Sequence, residues 1–348
     1  MPIALWWGRS DEDYSRNRIV ADLFKQSGWE ISIYRPKISR IGFASAYFNR
    51  LERPDIVWLP CFRHTDIPSA SFWARKWGVP LVIDPLISAY EKEVFEREKW
   101  EKDSWQAKRR LKWEQNLFAK ADIVVGDTPK HLDFYEETLR VERGKLFHLY
   151  VGAEEKLFFP KPQIKQPDQY EVLFYGSFLE LHGIETIVEA ARLCQDANIQ
   201  WTLLGDGALR KNIEKQIGSL KNISIEPWIP YETLPDRLAR ADILLGIFGN
   251  TTLTTLVIPN KVFQSMALAK PIITGISAAY PDEMLKSNVI GWANLANPEE
   301  ILDIVTQWLR DPQDLMERGK QTRNIFNELF SYDHLKILLE KILHAALK

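Results

Sequence analysis

Short apolar runs alternate with longer amphipathic stretches along almost the whole chain. The short runs are rich in Val, Ile, Leu and Trp, which favours buried parallel strands, and the longer stretches have the apolar spacing of helices. An alternation of strands and helices indicates doubly wound α/β domains. Strands are predicted at 3–7, 29–34, 55–59, 78–84, 121–126, 145–149, 171–175, 201–204, 223–226, 242–247 and 271–274, with a short one near 289.

The stretch 161–170 is predicted to be a linker between two domains. It is polar and contains prolines, and strand–helix patterns lie on both sides of it. A chain of 348 residues also exceeds the usual size of a single hydrophobic core. We therefore expect one domain over 1–160 and a second over 161–330.

Two long helices are predicted from apolar positions at helical spacing with charged residues between them. The first covers 88–120 and is expected to turn Trp105 and Trp113 together towards the core. The second is the last element of the chain, at 332–346.

Composition excludes several functional classes. The net charge of −2 argues against nucleic-acid binding. Cys61 and Cys194 fall in different predicted domains without metal-ligand spacing, which favours a reduced, cytoplasmic protein. No apolar run reaches the about 20 residues that a membrane span needs. The run at 3–7 is too short for a signal peptide and is predicted to be the first strand.

The segment 258–274 carries the most specific motif. Pro259 suits the start of a helix, and Pro271 prevents that helix from continuing. Asn260 and Gln264 are four residues apart, so they share a polar face near the positive end of the helix. Such an end is a good place for a phosphate or a sugar.

This segment resembles the donor-binding signature of family-4 retaining glycosyltransferases of the GT-B fold. In that signature two glutamates are separated by seven residues, and a small-residue helix runs into Lys/Gly-Pro. Leu256 and Gln264 occupy the positions of the two glutamates. Arg16-Asn17 and the stretch 150–160 also resemble the family. The positions in register with the signature are Pro259, Asn260, Ala267, Lys270 and Pro271.

The resemblance implies two facing Rossmann-like, doubly wound domains with a deep interdomain cleft and a C-terminal crossover helix, 331–348, that joins the first domain. The first domain would hold the acceptor and the second the nucleotide sugar. The implied reaction moves a sugar from a nucleoside diphosphate sugar to a glycan or lipid-linked acceptor with retention of configuration. Neither a metal nor any cofactor besides the co-substrate is expected.

A strand-to-helix turn framed by glycines, 176–183, is the predicted diphosphate site, because such turns allow close backbone approach to phosphate. The resembled family has an arginine and a lysine in this turn. Here His182 stands at the lysine position, so donor binding is expected to strengthen as pH falls from about 8 to about 6. The expected donor-binding residues are Gly176, Ser177, His182, Gly183, Gly205, Trp228, Ile229, Gly249, Asn260, Lys261 and Gln264.

Three of these positions carry further expectations. Trp228 and Ile229 lie where the family holds the nucleotide base, although core packing explains Trp228 equally well. Gln264 replaces a glutamate that contacts ribose in the family, and it still offers an amide oxygen as an acceptor. Gln264→Glu is therefore expected to hold or improve nucleotide binding.

The first domain supplies candidates at the carboxyl ends of its strands, where ligands of such sheets bind. His64 and Asp84 are the predicted catalytic residues, and Asp84 stands where the family has a His-Asp pair. A merely solvated or hydrogen-bonded His64 is the alternative. Acceptor binding is expected at Gly8, Arg16 and Asn17.

Two charged stretches are open to a second interpretation. The spacing in Asp11-Glu12-Asp13 is that of a metal–nucleotide motif in another glycosyltransferase fold, but helix capping is favoured here. The stretch 31–50 has four basic residues, no acidic one and several aromatic ones. It is either a solvated helix with one core face or a patch that binds the inner face of an anionic membrane weakly, with binding lost as salt rises.

Two other functions remain open. Nucleotide-sugar 2-epimerases share the fold and need no acceptor. A non-catalytic donor-binding subunit is suggested by Leu256 and Gln264 in place of two glutamates. A glycosyltransferase would transfer the sugar, a 2-epimerase would release an epimerised sugar, and a donor-binding subunit would bind without turnover.

Overall fold

A computed structural model describes residues 1–9, 14–162 and 169–348. Within these residues the chain forms two compact units: Met1–Gly152 together with Tyr332–Lys348, and Ala153–Ser331. Most of the predicted linker and the Asp11-Glu12-Asp13 motif lie outside the described residues. The metal interpretation of that motif therefore stays untested.

Unit 1 is built on a six-stranded sheet, and all of its pairings are parallel. The strands are β1 Ile3–Trp7, β2 Glu30–Tyr34, β3 Ile56–Leu59, β4 Leu81–Ile83, β5 Ile123–Gly126 and β6 Leu146–His148. Their order in the sheet is β2-β1-β3-β4-β5-β6, so the order reverses beside β1. The strands β1, β3, β4 and β5 are buried, as their apolar runs predicted, and Trp7 and Trp58 have no exposed surface. The edge strand β2 is mostly exposed.

Helices cover both faces of this sheet in the doubly wound pattern. The C-terminal helix belongs to unit 1, where it contacts the first helix. The helices of the unit before residue 152 are α1 Ser15–Gln26, α2 Gly42–Phe48, α3 Ile67–Trp77, α4 Ala89–Glu91, α5 Trp105–Phe118 and α6 Pro129–Glu137. The C-terminal helix spans Tyr332–Ala346.

The predicted single helix over 88–120 is wrong. The chain forms α4, a π-helical turn at Lys92–Glu96 and then α5, which begins where the Ser104 side chain accepts from the Ala107 amide. Trp105 is 66% exposed, whereas Trp113 packs against the core. Eight residues advance a helix to a face about 80° away, so one core-facing side does not hold both tryptophans.

Unit 2 is built on a second six-stranded sheet, which is also parallel. Its strands are β7 Tyr170–Tyr175, β8 Ile199–Leu204, β9 Ile223–Glu226, β10 Ile243–Leu245, β11 Ile272–Gly275 and β12 Gly291–Ala293. Their order in the sheet is β12-β11-β10-β7-β8-β9. Its helices are α7 Ile184–Leu193, α8 Arg210–Ile217, α9 Leu234–Arg240, α10 Asn260–Ala267, α11 Asp282–Leu285, α12 Pro298–Leu309 and α13 Pro312–Leu329. With these labels the C-terminal helix is α14.

The strand order determines where ligands are expected. In an open parallel sheet the crevice lies outside the carboxyl ends of the strands, at the point where the order reverses. In unit 2 this point lies between β7 and β10, and in unit 1 between β1 and β3. The turn 176–183 follows β7, so the predicted diphosphate site lies at the reversal point of unit 2.

In the described part of the chain, no helix combines the length and the apolar character needed to span a bilayer.

Candidate functional site

The predicted donor glycines meet at the reversal point of unit 2. A Cβ atom on Gly205 would lie 2.1 Å from the carbonyl oxygen of Gly176, and one on Gly249 would lie 2.1 Å from the carbonyl oxygen of Glu180. Only residues without a side chain allow this contact between the turn after β7 and the ends of β8 and β10. The structure therefore brings together the glycines that the sequence pattern had selected.

Lys261 lies beside this turn. Its side chain is only 5% exposed, and its nitrogen stands 4.4 Å above the ring of Phe174. The same nitrogen is 3.1 Å from the position that a Cβ atom would take on Gly176. Among the described residues, no carboxylate and no hydrogen-bond acceptor pairs with it. Burial lowers the pKa of Lys261 to about 7.

His182 is a neutral imidazole in this setting. Its Nδ1 donates to the carbonyl oxygen of Ser177, which determines the tautomer. Burial, and then the nearby Lys261, lower the pKa of His182 well below its ordinary value. The expectation that His182 titrates near its ordinary pKa of about 6.5 is therefore corrected. The group beside the turn that titrates near neutral pH is Lys261.

Gln264 is held by two tyrosines rather than open to solvent. The Tyr175 hydroxyl donates to its Oε1 at 2.8 Å, and its Nε2 donates to the Tyr231 hydroxyl oxygen at 3.0 Å. The Tyr231 hydroxyl in turn donates to Glu154. The sequence pattern selected Gln264 but neither of its two tyrosine partners, nor Glu154, to which Tyr231 donates. Glu154 lies in the stretch 150–160, which resembles the glycosyltransferase family. That resemblance is the only feature of the sequence that pointed to Glu154.

The two predicted base-contact residues differ in exposure. Trp228 is 52% exposed, so core packing does not explain this tryptophan. Ile229 is half-buried. Leu256, at the position of the first signature glutamate, is 6% exposed and offers only an apolar side chain. Asn260 is the first residue of α10, and Pro259 before it provides no side-chain cap.

In unit 1, Arg16 and Asp84 form a buried ion pair. Arg16 Nε lies 3.0 Å from one carboxylate oxygen of Asp84 and Nη2 lies 3.2 Å from the other. The remaining guanidinium nitrogen, Nη1, donates to the carbonyl oxygens of Leu149 and Tyr150. Burial raises the pKa of Asp84, although the Arg16 charge opposes this. Arg16 has no exposed surface.

These contacts change the interpretation of three predicted residues. Arg16 is too buried to meet an acceptor directly, because its guanidinium already fills its contacts within the fold. Asn17 is 3% exposed and accepts from the Cys61 amide at 3.3 Å. Asp84 places both carboxylate oxygens on Arg16. A direct acceptor contact does not fit the buried Arg16. The catalytic role of Asp84 stays a prediction.

His64 and Gly8 lie in the two loops beside the reversal point of unit 1. His64 Nε2 stands 3.2 Å from Glu114 Oε1, and His64 is 9% exposed. Burial alone would raise the pKa of Glu114, but the neighbouring His64 and hydrogen bonds from Tyr90 and Ser88 outweigh burial and lower this pKa. A Cβ atom on Gly8 would lie 2.7 Å from the Arg63 side chain. His64 and Asp84 thus have separate partners and do not form a pair.

Within residues 1–9, 14–162 and 169–348, no three side chains of histidine, cysteine, aspartate or glutamate lie close enough together to hold a metal ion. A polar cavity of about 690 Å³ is lined by residues of β7, β8 and β9, where Arg237 bridges Glu171 and Glu226.

Comparison with known proteins identifies the family of the second unit. Residues 155–325 match the family model of glycosyl transferases group 1. WcaI of Escherichia coli (strain K12), named as a colanic acid biosynthesis glycosyl transferase, is 24% identical over 177 residues. That alignment covers 44% of this chain and 43% of WcaI, so the match spans less than half of the relative.

Solved structures resemble the whole chain in fold. Sucrose-phosphate synthase from Thermosynechococcus elongatus has a TM-score of 0.75 at 15% identity, over 99% of this chain and 98% of that one. Anabaena HepE, in a complex with UDP and glucose, has a TM-score of 0.72 at 12% identity, over 99% of this chain and 100% of that one. At these identities the likeness shows the fold, which is the predicted GT-B arrangement of two Rossmann-like domains.

Proposed function

Because residues 155–325 belong to glycosyl transferases group 1, we propose that this protein moves a sugar from a nucleoside diphosphate sugar to an acceptor. The acceptor is a glycan or a lipid-linked glycan, the transfer retains the configuration at the anomeric carbon, and no metal takes part. Unit 2 binds the donor at the turn 176–183 and at α10.

The observation that carries this proposal is the buried Lys261 ammonium without a counter-charge. A buried charge is costly unless an opposite charge or hydrogen bonds compensate it. Lys261's neighbour His182 is neutral and offers no negative charge. The turn of glycines beside Lys261 admits a ligand close to the backbone. A diphosphate supplies the missing negative charge at this place.

Lys261 then has a chemical role as well as a binding role. When the bond between the anomeric carbon and the diphosphate oxygen breaks, the electron pair stays with the diphosphate. The developing negative charge is stabilised by an ammonium already in position. Neither Leu256 nor Gln264 is a carboxylate. These two positions therefore provide no nucleophile for a covalent glycosyl intermediate.

A donor assay tests the proposal. The protein is incubated with UDP-, GDP- and dTDP-sugars, with and without mixed glycan and polyprenyl-phosphate-linked acceptors, and released nucleotide and products are measured. We expect acceptor-dependent release, and NMR of the product shows the anomeric configuration of the donor. Lys261→Met should abolish release. Lys270→Met is the matched control, because Lys270 is also buried but bonds to the Ala239 carbonyl oxygen at 3.2 Å.

The same assay separates the other functions. An epimerised free sugar without acceptor would support the 2-epimerase. Binding of a nucleotide sugar with no turnover would support a donor-binding subunit, for which the apolar Leu256 is the favouring observation. Release that persists in Lys261→Met but fails in Lys270→Met would contradict the assignment of the diphosphate site.

A membrane surface is the second part of the proposal. We propose that the aromatic patch formed by α2 and α3 of unit 1 rests on anionic lipid. Its aromatic side chains are exposed: Phe43 by 46%, Tyr47 by 65%, Phe48 by 81% and Phe72 by 52%. The Lys76 nitrogen stands 5.4 Å from the centre of the Tyr47 ring, so a positive charge lies within the patch.

Charge and shape favour a bilayer as the occupant of this patch. The stretch 31–50, which contains α2, has basic residues and no acidic one. Aromatic rings with basic neighbours suit the boundary between headgroups and acyl chains, and anionic lipid adds about 1 kcal/mol per nearby cation. A solvated helix explains the basic residues but leaves most of the Tyr47 and Phe48 side-chain surface exposed to water.

Co-sedimentation with vesicles tests this surface. Binding is expected to vesicles of phosphatidylglycerol and to fall as salt rises from about 0.05 M to about 0.5 M, because the Debye length shortens. Phe48→Ser and Lys76→Glu should each reduce it, whereas Trp105→Ser, which removes an exposed aromatic outside the patch, should not. Equal binding to neutral phosphatidylcholine, or no effect of Phe48→Ser, would contradict the proposal.

A further inference from the structure

Four side chains of unit 2 form a continuous chain of hydrogen bonds through position 264. The Tyr175 hydroxyl donates to Gln264 Oε1, Gln264 Nε2 donates to the Tyr231 hydroxyl oxygen, and the Tyr231 hydroxyl donates to Glu154. Gln264 is 3% exposed, so water does not replace these partners easily. The chain ends on a carboxylate.

The direction of every bond in this chain follows from its carboxylate end. An ionised glutamate only accepts, so the single proton of the Tyr231 hydroxyl points to Glu154. The Tyr231 oxygen is then left as an acceptor and needs a donor on its other side. Gln264 supplies that donor through its amide nitrogen, and its amide oxygen faces Tyr175. An amide therefore satisfies both neighbours at once.

The chain also ties together three segments that serve the proposed donor site. Tyr231 follows the loop of Trp228 and Ile229, Gln264 lies on α10 three residues after Lys261, and Glu154 lies near the start of unit 2. The Tyr231 ring packs edge-on against Phe158, with 5.7 Å between ring centres. The loop expected to meet the base is thus fixed to the helix expected to meet the diphosphate.

We propose that Glu154 and Tyr231 are positioning residues of the donor site, and that they require a neutral amide at position 264. The carboxylate at this part of the site is Glu154, which reaches α10 through the Tyr231 hydroxyl. The amide of Gln264 and the carboxylate of Glu154 then complement each other across the Tyr231 hydroxyl. Gln264 is therefore not a poorer substitute for a glutamate. This inference rests on the proposed function of unit 2 as a nucleotide-sugar site.

A glutamate at 264 would break the match. The Tyr231 hydroxyl would then lie between two carboxylates, at 154 and 264. It has a single proton and could donate to only one of them. Two acceptors would meet at about the 3.0 Å that now separates Gln264 Nε2 from the Tyr231 oxygen. The expectation that Gln264→Glu holds or improves nucleotide binding is therefore replaced by the opposite one.

Exchanging the residues at 154 and 264 should restore one donor and one acceptor at the Tyr231 hydroxyl, with their positions interchanged. In the double variant Gln264→Glu/Glu154→Gln, the Tyr231 hydroxyl donates to the carboxylate at 264 and accepts from the amide at 154. The Tyr175 hydroxyl still donates to the residue at 264. All three bonds of the chain are then present, and the two bonds at Tyr231 run in the opposite direction. A role that depended only on the size of these side chains would give no such recovery.

The test first measures by calorimetry which of UDP, GDP and dTDP the parent protein binds most tightly. The affinity of each variant for that nucleotide is then measured. The melting temperature of each variant is measured without ligand. Gln264→Glu should lose at least about tenfold in affinity, and the double variant should return to within about threefold of the parent. In the background of Tyr231→Phe, which keeps the ring, the further effect of Gln264→Glu should be small, because the conflict passes through the hydroxyl. This second comparison remains informative if Gln264→Glu alone folds poorly.

Each outcome decides between the proposals. Affinity in Gln264→Glu equal to or above that of the parent, or no recovery in the double variant, would overturn the positioning role. Recovery of the melting temperature with unchanged affinity in all variants would show a structural chain only, and would also overturn it. A parent that binds none of the three nucleotides overturns the proposed function itself, and the positioning role falls with it.

Discussion

The Lys261 ammonium lies against Gly176, with its nitrogen 3.1 Å from the position that a Cβ atom would take there. No carboxylate among residues 1–9, 14–162 and 169–348 forms an ion pair with it, although the side chain is 5% exposed. The group of the donor site that changes charge near neutral pH is therefore Lys261.

Donor affinity should fall as pH rises through about 7. The pKa of Lys261 is lowered to about 7 in the free protein, so the ammonium is present below this value and lost above it. A bound diphosphate favours the charged form, and affinity should drop by up to about tenfold per pH unit above 7. Calorimetry should use a nucleotide sugar, since its diphosphate is a diester, whereas a terminal phosphate titrates near about 6.

Lys261→Met is the control for this pH dependence. It should bind the nucleotide sugar at least about tenfold more weakly at pH 6, because a charge-assisted bond is lost. Its affinity should also be nearly constant between about pH 6 and about pH 9. A pH dependence that survives in Lys261→Met would assign the titration to another group.

His182→Ala should leave the pH dependence of donor affinity in place. The pKa of His182 is lowered well below its ordinary value by burial and by Lys261, so the ring is neutral throughout this range. The substitution removes the bond to the Ser177 carbonyl oxygen, and a stability loss of about 1 kcal/mol is expected. Loss of the pH dependence in calorimetry with this variant would show that His182 carries the charge.

Gly176→Ala should weaken donor binding beyond its effect on stability. The backbone at Gly176 has a φ of +141°, and the added Cβ would press on Lys261. Gly28→Ala is the matched control, because Gly28 has a φ of +78° and no atom within 4 Å of the added Cβ. Both variants should lose about 1 kcal/mol or more in thermal unfolding, but only Gly176→Ala should lose nucleotide affinity. Equal nucleotide affinity in Gly176→Ala and Gly28→Ala would show that Gly176 does not belong to the donor site.

Asp84→Asn should mainly lower the stability of the fold, with a smaller effect on the rate of the reaction. The substitution leaves the fully buried Arg16 without its counter-charge, which typically costs about 3–5 kcal/mol. Asp133→Asn, which breaks the exposed pair with Arg143, should cost less than about 1 kcal/mol. Thermal unfolding of the two variants makes the comparison. A stable Asp84→Asn protein with a large loss of kcat would instead support the catalytic role predicted from the sequence.

The sequence was sufficient for the framework of the fold because its signals are local. Apolar runs and glycines located the strands and the turn 176–183, and Pro259 located the start of α10. The 88–120 helix failed because the Ser104 cap starts α5 late, so Trp105 lies in the first turn of a separate helix.

The site was only partly predictable, because its electrostatics depend on tertiary contacts. Lys261 was selected by its position in a motif, but its burial depends on how the fold places α10 beside Phe174 of β7. The partners of Gln264 lie at positions 175 and 231, and Tyr231 in turn contacts position 154; no local pattern connects these positions. Arg16 looked available at a helix start, yet the fold closes around its guanidinium.

The most direct test of the donor site is an NMR titration of Lys261 in protein labelled at its lysine side chains. In the free protein one lysine should titrate near about 7, and its signal should be absent in Lys261→Met. On addition of the tightest-binding nucleotide sugar, the pKa of that lysine should rise by about one unit or more, because the diphosphate stabilises the ammonium. An unchanged pKa with saturating nucleotide sugar, or a Lys261 that titrates at its ordinary value, would contradict the account.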